Sequence, residues 1–159
     1  MDKLRIVMNA ILTIVVIFVC SLAALNFFSA RDRPGLFGYK GYTVISGSMK
    51  PTLEVGDYIV IKEIPFEKVQ KGDIISFYQE HTLVTHRVIE RNRDYLQTRG
   101  DQNNVNDLIA VTKANYLGKY QFRIKQLGRF LLWMQDPLVY SLIMAAIALR
   151  IAVLLLFKK

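Results

Sequence analysis

Apolar residues along the chain fall into two long terminal blocks separated by a stretch of short runs. The first block, Ile6 to Phe28, is interrupted only by Asn9, Thr13, Ser21 and Asn26. At ~1.5 Å per residue a helix of that length is roughly 34 Å long, enough to cross a bilayer with some tilt. The second block, Leu138 to Phe157, is of similar length and carries one charge, Arg150. Between the blocks the pattern changes. Tyr42–Ser46, Asp57–Lys62, Asp73–Tyr78, Leu83–Glu90, Tyr95–Arg99 and Tyr116–Ile124 are short runs rich in β-branched and aromatic residues. Gly-Asp pairs at 56–57 and 72–73 introduce two of them. None keeps a 3.6-residue period, so the pattern predicts a nearly all-β, antiparallel domain flanked by two transmembrane helices.

The flanks give these elements an order. Residues 1–5 form a short basic N-terminus and 6–28 a membrane anchor. A cleaved secretory signal has an apolar core of only about 7–15 residues and needs small residues at its exit. Phe28-Ser29-Ala30 offers a bulky Phe there, which favours an uncleaved anchor. Residues 29–41, with Pro34, Gly35 and Gly38, read as a linker and 42–128 as the β domain. Residues 129–137 hold Trp133 and Arg129 among apolar neighbours, which suits a membrane interface. Residues 138–157 are the second span and 158–159 a cytoplasmic tail. Arg150 is costly at the bilayer centre but lies about two turns from the end, where its side chain can snorkel. Lys3 and Arg5 at one terminus and Lys158-Lys159 at the other put both ends in the cytoplasm and the β domain outside.

Charge changes this picture little. The chain has 159 residues and a net charge of +8. Between Arg31 and Gln135 there are 16 Lys and Arg against 11 Asp and Glu, a surplus of five. These basic residues are scattered rather than clustered, which excludes a nucleic-acid stripe and leaves a solvated surface with some attraction to anionic headgroups. The single cysteine, Cys20, lies in the first apolar block, reads as a small apolar filler and offers no disulfide framework. No His, Cys and carboxylate spacing suggests a metal, and no cofactor is expected.

Candidate chemistry starts at Ser46-Gly47-Ser48-Met49-Lys50-Pro51-Thr52-Leu53. A strand that breaks into Ser-Gly-Ser and is braced by a proline can present a hydroxyl at a turn, although the composition is also that of an ordinary loop. Of two histidines, His81 reads as an exposed turn residue. His86 shares a strand face with Val84 and Val88, as a core histidine or as a general base shielded from water. The polar run Arg99 to Asp107 supplies carboxylates, Asp101 and Asp107 among them. A serine nucleophile needs a base, and the base is commonly oriented by a carboxylate. Ser48, His86 and Asp107 offer one residue for each role. Met49 reads either as lipid-facing or as core.

Five segments in order then resemble type I signal peptidase. They are Ser46–Leu53, Gly56-Asp57, Gly72-Asp73-Ile74-Ile75, Thr85-His86-Arg87-Val88-Ile89 and Gly100-Asp101-Gln102-Asn103-Asn104. The resemblance covers roughly Tyr42 to Gly128. The common bacterial branch carries a lysine where this chain has His86, so the chain is similar to the endoplasmic-reticulum branch, which includes archaeal and some Gram-positive members and uses Ser, His and Asp. The resemblance implies Ser48 as nucleophile, His86 as base and Asp107 as the catalytic acid, with Asp101 supporting or alternative. It implies an oxyanion site at the Ser48 N–H with the Ser46 hydroxyl as second donor. It also implies a plasma-membrane, multi-pass protein whose catalytic domain faces outward. Its partners would be secreted preproteins with signal peptides, the bilayer and the protein-export translocon. The competing class of function is a membrane-anchored β module that binds or assembles secreted proteins without cutting them.

Overall fold

A computed structural model describes residues 7–11, 13–17 and 37–156 of the chain. Cys20, the outer part of the expected anchor and most of the expected linker lie outside the described residues, as do the two termini. A helix, α1 (Val7–Ile17), precedes the β domain. Six strands follow: β1 (Tyr39–Thr43), β2 (Tyr58–Lys62), β3 (Ile74–Gln79), β4 (Thr82–Arg91), β5 (Leu96–Arg99) and β6 (Tyr116–Ile124). Two helices, α2 (Leu127–Met134) and α3 (Pro137–Leu156), end the described chain.

The strands form one sheet in the order β1-β2-β6-β3-β4-β5, with every pairing antiparallel. Both faces of the sheet are covered. Side chains alternate along a strand, so the neighbours Ile74 and Ile75 of β3 enter different clusters. Ile75 joins Phe66, Val69, Phe77, Val88, Leu96 and Val111. Ile74 joins Met49, Leu53, Ile59 and Ile61. Met49, open to two readings from sequence, is therefore a core residue. Burial on both faces also explains why the first four residues of β3, Ser76 among them, are all buried rather than alternately exposed.

The first strand begins at Tyr39, inside the segment read as linker, and leaves the ladder after Thr43. Gly41 allows this close pairing, because a Cβ there would stand 2.0 Å from the Tyr58 hydroxyl. Beyond β1 the chain bonds to a turn instead of a strand. Val44 N–H donates to Asp57 O at 2.9 Å and Gly56 N–H to Val44 O at 2.8 Å.

That turn is a junction. Asp57 is 1% exposed and accepts from Arg123 Nη1 at 2.6 Å, Glu54 N–H at 3.0 Å and Gln126 N–H at 3.2 Å. The expected interfacial segment 129–137 is helical from Leu127, as α2, and then breaks. Gly128 brings α2 against the sheet, since a Cβ there would meet Thr43 Cγ2 at 2.5 Å and Asp57 O at 2.7 Å. Phe130, Leu132 and Trp133 are left on its exposed side. Asp136 Oδ1 accepts from Leu138 N–H at 2.9 Å and Pro137 opens α3, a capped start that separates the two helices. Counted to Ile151, no single described helix is long and apolar enough to cross a membrane; α2 and α3 together are, with a 64° bend between them.

Candidate active site

The Ser46–Leu53 turn is pinned by what it buries. Met49 and Leu53 are 2% and 0% exposed, and Leu53 N–H donates to Met49 O at 2.9 Å. Lys50 N–H donates to Gly47 O at 3.1 Å, which curls the chain so that Ser48 sits between two anchored ends. A third hold comes from the Gly100–Asp107 loop, whose Gln102 N–H donates to Ser48 O at 2.8 Å. Gly100 must be glycine for this approach, because a Cβ would lie 2.6 Å from Ser48 O.

His86 faces the turn from β4. Strand alternation puts it on the buried face between Val84 and Val88, with the Phe77 ring edge-on at 6.4 Å. Its Nε2 lies 3.1 Å from Ser48 Oγ and its Nδ1 lies 2.7 Å from Asp107 Oδ2. A carboxylate only accepts, so the neutral ring carries its proton on Nδ1 and leaves Nε2 to accept from the Ser48 hydroxyl. Ser46 Oγ is 3.3 Å from Ser48 Oγ. The arrangement can withdraw a proton from Ser48 and hold the resulting imidazolium against a carboxylate.

The second carboxylate has a different setting. Asp101 accepts from Arg87 Nε at 2.8 Å and Arg87 Nη2 at 2.7 Å, and also from the Thr52 hydroxyl. Arg87 Nη1 continues to Gly72 O at 2.9 Å. Bidentate bonding to Arg87 outweighs partial burial and holds the Asp101 carboxyl below the usual range. Of the two acids, Asp107 touches His86 and Asp101 braces the turn through Thr52. His81 is exposed at the β3–β4 turn.

A cleft of about 260 Å³ opens beside Ser48 and His86. Tyr42–Ser46 form one wall and Thr82–His86 the other, with Met49, Leu53 and Ile59 among its lining residues. The first wall runs from the end of β1 into the Val44–Ser46 segment beyond it, and the second is the start of β4. Among the described strands β1 pairs only with β2, and β5 covers β4 only from Arg87 onward. The same segments recur in known proteins. The family model for signal peptidase, peptidase S26, matches residues 5–129. Signal peptidase I W of Bacillus subtilis is 34% identical over 125 residues, 74% of this chain.

This chain belongs to the signal peptidase S26 family.

The alignment spans 66% of the Bacillus subtilis protein, just under two thirds. The family match takes in all six strands and both contact partners of His86, and it ends within α2. Within this S26 domain the structure brings together Ser48, Ser46, His86 and Asp107, each named from the sequence, and sets Asp101 as a support; Arg87 and Thr98, which hold the two carboxylates, were not named for those roles. Arg87, next to the expected base, carried a signal in its adjacency alone. Thr98 and the Gln102 main chain carried none, because a threonine in a strand and a polar loop amide are ordinary.

Proposed function

We propose that this S26 protein is a membrane-bound serine endopeptidase that removes N-terminal signal peptides from secreted preproteins through an acyl-enzyme. The observation that carries the reading is the hydrogen-bonded series Ser48–His86–Asp107 at the mouth of a cleft walled by the extended segments Tyr42–Ser46 and Thr82–His86. An extended peptide laid between those segments takes main-chain hydrogen bonds from both sides. Its scissile carbonyl then meets Ser48. Small side chains of the A-x-A type suit a cleft of this volume.

In this mechanism His86 Nε2 takes the Ser48 proton as Oγ attacks the carbonyl carbon. The Ser48 N–H and the Ser46 hydroxyl stabilise the oxyanion. Asp107 stabilises the imidazolium, which returns its proton to the leaving amine. Water, deprotonated by the same ring, then releases the signal peptide from Ser48. Asp101 supports the turn and takes no proton.

Two observations support the membrane setting. Arg150 Nη1 of α3 donates to Met8 Sδ of α1 at 3.4 Å. The start of α1 thus lies beside the far half of α3, as it does when two spans return both termini to one side. The exposed Phe130, Leu132 and Trp133 of α2 suit a lipid interface beside the Gly56-Asp57 turn. The setting is the plasma membrane, with the β domain on its outer face near the export translocon.

The test uses the full chain in detergent with a purified preprotein. The parent cleaves after the signal peptide, and Ser48→Ala and His86→Ala leave no measurable product. Equal cleavage by Ser48→Ala ends the enzyme reading in favour of a non-catalytic β module.

A further inference from the structure

Asp107 is gripped from the strand behind it, by residues with no assigned part in the chemistry. We infer that Thr98 of β5 is a positioning residue for the Ser48–His86 pair, acting through Asp107; this rests on the peptidase reading above. Thr98 is 0% exposed and stands opposite Val88 of β4. Directly opposed residues share a face, so Thr98, Val88 and His86 all point to the same side of the sheet.

The Thr98 hydroxyl is 2.6 Å from Asp107 Oδ2, the oxygen that also receives His86 Nδ1 at 2.7 Å. The main chain holds the same residue. Asp107 N–H donates to Thr98 O at 2.9 Å, and Gln97 Nε2 donates to Asp107 O at 2.6 Å. Because the carboxylate only accepts, the hydroxyl donates, and a bond of this kind to a charged acceptor is among the stronger ones. Two donors converging on one oxygen fix the rotation of the carboxyl group. The plane in which His86 finds its acceptor is then set before substrate arrives, and with it the direction of Nε2 toward Ser48.

A purely space-filling role for Thr98 makes the opposite prediction. Valine has the shape of threonine without the donor, and serine keeps the donor without the methyl. If Thr98 only fills the core, Thr98→Val is neutral and Thr98→Ser is the worse change. If it positions Asp107, the order reverses.

The experiment compares Thr98→Val and Thr98→Ser in the full chain in detergent. Thr98→Val is expected to lower kcat about tenfold, as for one lost hydrogen bond, with KM within about twofold. Thr98→Ser stays within about threefold of the parent in kcat. In protein labelled at histidine, the Nδ1 proton resonance of His86 moves in Thr98→Val and holds in Thr98→Ser, a readout that needs no cleavage. Should Thr98→Val not fold, Thr98→Ala takes its place against Thr98→Ser, with the same order expected. Parent-like kcat in the variant without a donor, or a weaker Thr98→Ser, overturns the inference while cleavage by the parent keeps the peptidase reading. If the parent does not cleave but the resonance responds in the stated order, the peptidase reading fails and the positioning of Asp107 stands.

Discussion

Two carboxylates six positions apart on one loop have opposite surroundings, and their substitutions separate them. Asp107→Asn keeps the size of the side chain but removes the charged acceptor that fixes the Nδ1 proton of His86. It is expected to lower kcat by about 10³-fold or more, with little change in melting temperature. Asp101→Asn unpairs Arg87 and loosens Thr52. Its main effect is a stability loss of about 1–3 kcal/mol in denaturant titration. If Asp101→Asn is the more damaging to kcat, the roles are reversed. A pH effect follows from the same groups. Bonding to Arg87 holds Asp101 below the ordinary carboxyl range. Burial alone pushes Asp57 up, but the Glu54 and Gln126 N–H groups and Arg123 bring it below its ordinary value. An unfolded Asp titrates near ~3.9. Below about pH 4 the unfolded chain therefore binds protons that these two groups in the folded chain do not. Their contribution is complete above that pH and is lost as the pH falls through their folded values. Unfolding at pH 3 and pH 6 should show this slope, and Asp57→Asn or Asp101→Asn should flatten it.

Ser48 and His86 were legible from the sequence because their chemistry is scarce: two histidines, one of them in a turn, leave little choice of base. Thr98 and Arg87 were not. Their partners lie 9 and 14 residues away, joined by strand register and a returning loop that no local pattern encodes.

At the scale of elements, the strands were legible to within a few residues because Gly-Asp turns and β-branched runs punctuate them. The first differs at both ends, Tyr39–Thr43 against a pattern over Tyr42–Ser46, because its pairing depends on Gly41 fitting against Tyr58 and on a turn replacing the ladder. From sequence α2 reads only as an interfacial stretch. It is 8 residues long, its N-cap residue Gln126 makes no side-chain cap, and it forms where Gly128 and Arg129 meet the Gly56-Asp57 turn. That turn joins β6, α2 and the end of the Ser46–Leu53 segment through buried Asp57, which pairs with the partly exposed Arg123 and accepts from the Glu54 and Gln126 N–H groups. Arg123→Ala leaves Asp57 with only its main-chain donors and is expected to cost about 1–3 kcal/mol. Thermal melting in detergent checks this, and a melting temperature within 2 °C or so of the parent would show that Asp57 finds compensation.

For the molecule as a whole, the sequence order of strands hides the sheet order. The last strand, β6, inserts between β2 and β3, and the end of β1, the segment after it and the start of β4 face one cleft. No pairing rule of neighbouring strands predicts that insertion. In the proposed topology both termini are cytoplasmic, so protease added outside intact cells should digest the β domain and leave a tag after Lys159 untouched. Digestion of the tag with the β domain protected would invert the orientation.

The loop from Gly100 to Asp107 holds the site from both ends. Its first residues fasten to Arg87, Thr52 and the Ser48 carbonyl, and its last residue fastens to β5. Asn104, Val105 and Asn106 between these fastenings are exposed. They behave like slack in a rope tied at two posts. Neither knot uses the side chains of Val105 and Asn106, so substitutions at these two positions are expected to leave Ser48 and Asp107 in register.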